Sequence, residues 1–335
     1  MQITSKITKL QLKHPFKISR RETDPYRKTI FVEIDGGIGE ASPAKFYGET
    51  VETVETALRF ISSELDEDLD QIHEVMSKIG AVLEGNYAAK SAIDMALNDR
   101  LSKKLGVPLY KLWGLNLLNT PRTSFTIGLD EPAVMAEKAL AADMYPILKV
   151  KLGTARDIEI METLRTVTDK PIYVDANTAW SPNEAVQKIH QLKEYGVELI
   201  EQPTEPDDIA GLKFVRENSA LPIIADESVK RASDIPRLSG AVDGINIKLV
   251  KCGGLLEAMR MIHVARAHGL HVMIGCMIES SLGITAAAHL SPLVDYADLD
   301  GNLLIKNDPF SGVTLNNGKL MLSDRPGIGV VKTQK

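Results

Sequence analysis

The chain has 335 residues, of which 44% are hydrophobic and 25% charged, with a formal net charge of −6. That length suffices for two domains, or one large domain with an elaboration, around a sizeable core. The composition excludes a disordered chain, and the acidic balance leaves no electrostatic footprint for nucleic acid.

No apolar run approaches membrane-spanning length, so no membrane partner is expected. Residues 1–10 alternate polar and apolar side chains and lack the apolar stretch of a signal peptide. Two cysteines, Cys252 and Cys276, offer no disulfide framework. They read as packed thiols in a cytoplasmic protein. The short basic stretch Lys-Ile-Ser-Arg-Arg at 17–21 reads as a solvated loop.

The first forty-odd residues predict strands. Ile3, Ile7 and Leu10 are spaced among polar residues, and 29–34 is rich in β-branched and aromatic side chains. Asp35-Gly36-Gly37 signals a turn. Helical patterns follow, the clearest over 86–105, where Ala89, Ala92, Ile93, Ala96, Leu97 and Leu101 share a stripe. Gly106 and Pro108 stop that helix. From about Thr123 the pattern changes. Strand-like runs at 123–128, 147–152, 172–177, 198–203, 222–227, 244–250, 271–276 and 296–300 alternate with helical stretches. That alternation argues for parallel βαβ units, and eight runs argue for a closed barrel. The eighth run leads into turn-rich sequence with no good helix after it. The expected fold is therefore α/β: a modified TIM barrel, (β/α)7β, over 121–300, and an α+β domain over 1–120. The tail from about 301 to 335, with Asn316-Asn317-Gly318 and Arg325-Pro326-Gly327, is expected to return to the first domain.

The strand ends carry unusual charge. In the second run Lys149 and Lys151 share one face while Leu148, Val150 and Leu152 share the other. The face toward the helices must be apolar, so both lysines point into the barrel. The same reasoning turns Asn246 and Lys248 inward from the sixth run. Three successive runs end in Asp175, Glu201 and Asp226, and the eighth in Asp298-Leu299-Asp300, whose acids share a face. Taken singly, each acid could be a helix cap or loop residue, and each lysine an edge residue. Asn177 and Glu227 could be caps or supports for the neighbouring acids, and Gly253-Gly254 reads as a plain turn more than as a phosphate site. Taken together the pattern is specific. Ionised groups stay inside a protein only when paired or metal-bound. C-terminal strand ends line the active site of such barrels. Three carboxylates there make a hard oxygen site suited to Mg²⁺. The seven histidines fall outside the barrel, in helical patterns or, for His271, at a strand start, and none reads as a catalytic base.

These residues resemble a known family. Lys149-Val-Lys151, Asp175-Ala-Asn177, Glu201-Gln-Pro203, Asp226-Glu-Ser228 and Lys248-Leu-Val-Lys-Cys-Gly-Gly254 are similar to the muconate-lactonizing subgroup of the enolase superfamily. The resemblance covers nearly the whole chain, including an N-terminal capping domain with Pro108-Leu-Tyr110. It implies that Asp175, Glu201 and Asp226 bind Mg²⁺. It implies that Lys151 and Lys248 are acid/base residues on opposite substrate faces, with Lys149 beside the substrate carboxylate. Asn177 and Glu227 would support the ligands from behind. Asp298 and Asp300 resemble the Asp-x-Asp pair with which dipeptide epimerases hold a substrate ammonium. Met277-Ile278-Glu279-Ser280 and the following Leu282-Gly283-Ile284-Thr285-Ala286 look like the same clade.

The implied activity is an isomerase inverting the α-carbon of the C-terminal residue of a dipeptide, of the L-Ala-L/D-Xaa type, by moving one proton between two lysines. Crowding by Lys149 and the metal should lower the Lys151 pKa and free it to act as a base. Two alternatives compete: another subgroup activity (o-succinylbenzoate synthase, N-acylamino acid racemase or cycloisomerase), and a silent binding protein that has kept the fold. Loss of a lysine or ligand would mark the silent case, and none is lost. Loops over about 14–28 and 44–50 should choose the substrate side chain. There Arg20, Arg21 and Arg27 suit an acidic one, and Phe16, Ile18, Phe46 and Tyr47 an apolar one. A homo-oligomer is compatible with the sequence, which leaves the oligomeric state open.

Overall fold

The computed structural model describes residues 2–19, 21–22, 24–64 and 68–333. Strands β1 (Thr4–Gln11), β2 (Tyr26–Ile34) and β3 (Gly37–Ala41) form an antiparallel meander. β2 and β3 are joined by Asp35-Gly36, whose φ angles of 44° and 79° are both left-handed, as a tight hairpin of this hand requires. Helices α1 (Val51–Glu64), α2 (Ile72–Val82) and α3 (Tyr87–Lys104) pack against the meander. On α3 the predicted stripe holds: Ala89, Ala92, Ile93, Ala96 and Leu97 are fully buried. β3 lies directly on it. A Cβ on Gly39 would stand 1.9 Å from the Ala92 carbonyl oxygen, and one on Gly37 2.0 Å from that of Ala96. Only glycine lets sheet and helix approach so closely.

The barrel alternates β4 (Phe125–Ile127), α4 (Pro132–Ala141), β5 (Leu148–Lys151), α5 (Asp157–Arg165), β6 (Ile172–Asp175), α6 (Pro182–Glu194), β7 (Val197–Glu201), α7 (Ile209–Asn218), β8 (Ile223–Ala225), the short α8 (Ile235–Leu238), β9 (Gly244–Ile247), α9 (Leu255–Ala267), β10 (His271–Gly275), α10 (Ser281–Ala288) and β11 (Tyr296–Asp298). Neighbouring strands pair parallel in chain order from β4 to β11. Thr123 bridges Ala297, and the Ser124 amide donates to the Ala297 carbonyl at 3.0 Å, which closes the sheet. This is the (β/α)7β barrel that the sequence predicts.

Period-2 alternation builds its interior in two storeys. Ile147, Tyr173, Leu199, Ile224, Met273 and Tyr296 pack together as an apolar plug. Two residues further along the same strands stand Lys149, Asp175, Glu201, Asp226, Gly275 and Asp298. The alternate set, including Leu148, Val150, Val174, Ile200, Ile245 and Ile274, faces the helices in the main core. The charged storey is thus held from below by a dry plug.

Carboxylates of the N-terminal unit seat it on the barrel. Asp94 on α3 accepts from the amides of Leu255 and Leu256 at the start of α9. Glu40 on β3 accepts from the Ser280 amide at 3.0 Å and the Gly283 amide at 3.1 Å at the start of α10. Negative charge at a helix N-terminus is favoured by the helix dipole. With Asp94 there, Gly253-Gly254 is the plain turn expected. From the C-terminal part, the Lys306 amide donates to the Gln11 carbonyl at 2.8 Å, and the Ile328 amide donates to Asp99 on α3 at 2.7 Å. Asn317-Gly318 turns a small hairpin between Thr314–Asn316 and Lys319–Met321. Among the described residues, no helix is long and apolar enough to cross a membrane.

Candidate active site

A cleft of about 800 Å³ opens above the charged storey. Lys149, Lys151, Lys248, Asp226, Asn177, Glu227, Asp298 and Asp300 all line it. Asp175 and Glu201, both fully buried, lie beneath them. Every site residue expected from sequence is therefore in or under one cavity.

The strand order sets the arrangement. β6, β7 and β8 bring Asp175, Glu201 and Asp226 side by side, with Asp175 and Glu201 register partners. β5 and β9 flank them, two strands either side of β7, and carry the lysines. β11 stands opposite β7. Lysines therefore face each other across the cleft, as do the acid trio and the Asp298 strand.

Ion pairs fill the storey. Lys149 Nζ stands 2.7 Å from Glu201, 2.7 Å from Asp298 and 3.2 Å from Asp175. Lys151 is 2.5 Å from Asp175, and Lys248 2.8 Å from Asp226. Burial opposes the charge on Lys149, but Asp298, Glu201 and Asp175 outweigh it and hold the ammonium well above the ordinary lysine value. Lys248 is likewise raised against its burial, chiefly by Asp226. Burial also opposes the Asp175 charge, yet Lys151, Lys149 and Lys248 hold it well below the usual carboxylate range. Glu201 goes the other way, raised by burial and by the Asp175 charge.

The eighth strand ends earlier than expected. Asp300 does not continue the strand: it precedes a 3₁₀ turn, Gly301–Leu304, with ψ of 1°. The chain turns after Asp300, and the alternation holds up to that point: Asp298 and Asp300 both line the cleft, while Leu299 packs in the main core. Asp298 pairs with Lys149, two strands away around the barrel, and accepts from Ser124 Oγ at 2.7 Å. Asp300 accepts from the Thr126 amide at 2.6 Å, and burial beside Asp298 pushes its carboxyl up to about 6.

Asn177 Nδ2 donates to Glu227 at 3.3 Å, so these two bridge the ends of β6 and β8. The sequence reading missed Lys251. Its side chain is fully buried, and Nζ donates to Asp226 Oδ1 at 2.6 Å, the Asp226 carbonyl at 2.7 Å and the Asn246 carbonyl at 2.9 Å. Asn246 in turn donates to Glu201 at 2.9 Å. Lys251 falls in the short helix Leu249–Cys252, three residues after Lys248. Its spacing alone resembled an ordinary helix-surface charge.

Among the described residues no three His, Cys, Asp or Glu side chains stand together at metal-ligating separations. The donor chemistry nevertheless fits a hard divalent cation: three buried carboxylates on adjacent strands, whose negative charge is met here only by the ammonium groups around them, Lys149 on Glu201, Lys151 on Asp175 and Lys248 and Lys251 on Asp226.

The cleft roof comes from the N-terminal unit. Phe16, Ile18, Arg27, Phe46 and Tyr47 line it, joined by Met277, Ile278 and Leu304. The described residues of the 17–21 stretch do not form a plain solvated loop. Lys17–Ile18 pairs with Arg21–Glu22 as a small ribbon, and Ile18 is buried against the cleft. The Arg27 guanidinium donates to the Pro43 carbonyl at 3.2 Å. Arg20 lies outside the described residues, as does the side chain of Arg21. Cys276 also lines the cleft, Cys252 is buried, and both thiols are free.

A two-unit barrel with lysines and acids on these strand ends defines a class. Residues 2–114 match the family model described as mandelate racemase / muconate lactonizing enzyme, N-terminal domain, and residues 132–334 match enolase C-terminal domain-like. The chain belongs to this family. Within it, the chain is 47% identical over 337 residues to an L-Ala-D/L-Glu epimerase of Bacteroides thetaiotaomicron, covering 99% of this chain and 88% of that one. It superposes with a TM-score of 0.92 on a dipeptide epimerase from Enterococcus faecalis complexed with Mg and L-Leu-L-Tyr, at 34% identity and 98% coverage of both chains. The substrate-liganded L-Ala-D/L-Glu epimerase from Bacillus subtilis gives 0.92 at 32% identity, over 99% of this chain and 98% of that one.

Proposed function

We propose that this chain is a magnesium-dependent dipeptide epimerase that inverts the α-carbon of the C-terminal residue by a two-base proton transfer. One observation carries the reading: a single cleft holds lysines on opposite walls and an Asp pair at a third side. The names of the relatives support the same class of substrate. In this reading 121–300 is the catalytic barrel, and 1–120, completed by about 301–335, is the cap.

Asp175, Glu201 and Asp226 would hold Mg²⁺, with Asn177 and Glu227 behind them. The ion would supply positive charge to the substrate carboxylate as a second negative charge develops there. Lys149, whose ammonium already draws carboxylate oxygens from three sides, adds charge at the same end. Lys151 takes the α-proton of the L-isomer, and the freed electron pair delocalises into the carboxylate. Lys248, held as an ammonium by Asp226, delivers a proton to the opposite face. The D-isomer uses the same two groups in reversed roles. Asp298 and Asp300 hold the substrate ammonium, which sets the second residue's α-carbon between the lysines.

The Asp pair separates this activity from its relatives. A succinylbenzoate precursor or a muconate carries no ammonium, and two carboxylates at that place would repel it. The apolar roof with Arg27 accepts a side chain of the C-terminal residue. Incubating the protein with a dipeptide library and Mg²⁺ in D₂O, and reading α-carbon deuterium by mass spectrometry, tests the proposal. Uptake at the C-terminal residue supports it, and a library without any uptake refutes it.

A further inference from the structure

A second cavity, of about 850 Å³, lies where α2 and α3 meet the Gly253 turn and α9. It shares no lining residue with the catalytic cleft. Its charges do not balance. Lys90, Arg231 and Arg260 face one carboxylate, Glu257, in a chain whose net charge is −6.

Lys90 makes the imbalance acute. The residue is 6% exposed, its Nζ donates to the Leu83 carbonyl at 2.5 Å, and it makes no ion pair among the described residues. Nearby acids are already committed. Glu257 takes Arg260 at 2.6 Å, Arg231 at 3.5 Å and the Ala232 amide at 2.9 Å. Glu49 accepts from the amides of Tyr87 and Ala88 at the start of α3. Lys90 and Arg231 instead flank the same Tyr87 ring, at 5.6 and 5.5 Å from its centre. Glu49 and Glu84 act on Lys90 only from a distance, and a buried ammonium without a close ion pair is costly. Burial and the Arg231 charge lower the Lys90 pKa against the opposing pull of Glu49 and Glu84. Arg231 and Arg260 are about half exposed, so the cavity opens to solvent at its arginine rim.

We propose that this cavity binds a small oxyanion, the phosphate or carboxylate group of a metabolite, with Lys90 at its floor and Arg231 and Arg260 at its rim. Planar guanidinium groups suit both phosphate and carboxylate. The walls come from α2 and α3 on one side and from the turn after Lys248–Cys252 on the other. An anion held there ties the cap to the segment that carries Lys248 and Lys251. Ligand occupancy would therefore stiffen the seat of the cap and raise thermal stability.

The test is calorimetric titration of inorganic phosphate into the full-length, Mg²⁺-loaded protein, with Tm followed in parallel. The expected result is one site and a rising Tm. Lys90→Met and Arg231→Gln should each weaken binding at least about tenfold, the effect of losing roughly 1.4 kcal/mol. Arg231 is half exposed, so its variant carries the test if Lys90→Met fails to fold. Catalytic lysines could also attract phosphate, so Lys248→Met is the discriminating control and should bind phosphate as the wild type does. Succinate titrated alongside assigns the class by whichever anion binds more tightly. Absence of binding by both anions overturns the site. So does affinity that is lost in Lys248→Met but kept in Arg231→Gln.

Discussion

Replacing Asp298 with Asn removes one charge and little shape. The Ser124 hydroxyl, 2.7 Å from Oδ1, can keep the side chain in place. Lys149 keeps two carboxylates, Glu201 at 2.7 Å and Asp175 at 3.2 Å, so the storey keeps most of its pairing. The substrate ammonium fares worse. Its remaining partner is Asp300, whose carboxyl sits near 6 and already accepts from Thr126. Losing one partner of a desolvated charge pair costs roughly 2–5 kcal/mol. At about 1.4 kcal/mol per factor of ten, kcat/KM for a dipeptide should fall roughly 30- to 3,000-fold. N-acetylating the substrate removes the other half of the same pair. Its cost in the wild type should be of similar size, and the two losses should not add. Rates for free and acetylated dipeptide with both proteins complete the cycle. Additive losses, or equal wild-type rates on the two substrates, would refute the ammonium role.

Asp94 gives a pH signature. Burial raises its carboxyl from 3.8 to about 7. Its folded form binds a proton that the unfolded chain has released, so its contribution is full below about pH 4 and lost as pH rises through 7. About three units correspond to about 4 kcal/mol. Urea denaturation of Asp94→Asn and wild type should show the difference between them moving by several kcal/mol toward the variant from pH 4 to 8; a constant difference would contradict this. Lys251→Met leaves Asp226 short of a buried partner and should cost about 3–5 kcal/mol of stability, with a loss under 1 kcal/mol contradicting the pairing. EDTA should abolish activity and Mg²⁺ restore it, and Asp226→Asn should weaken Mg²⁺ binding by calorimetry. Full activity without metal would remove the metal from the mechanism.

The sequence exposes what repeats and hides what meets once. Eight apolar runs at a steady period predict the barrel, and alternation within Ile147–Leu152 is enough to turn Lys149 and Lys151 inward. The α3 stripe is legible for the same reason. Lys251 was hidden because one buried lysine in a helical turn looks like a surface charge. Asp94 and Glu40 were hidden because each meets a helix start far away in the chain, and no local period records such a contact. Ile18 was legible as a residue facing the substrate, but its pairing with Arg21 was not, because its basic neighbours read as a solvated loop.

The central claim is that Lys151 and Lys248 serve opposite faces of one α-carbon. The direct measurement is α-proton exchange in D₂O for Lys151→Met and Lys248→Met, each given the L- and the D-isomer of an active dipeptide. Lys248→Met should place deuterium in the L-isomer without inverting it, and Lys151→Met should do the same for the D-isomer. Epimerisation by either variant at near the wild-type rate would contradict the assignment.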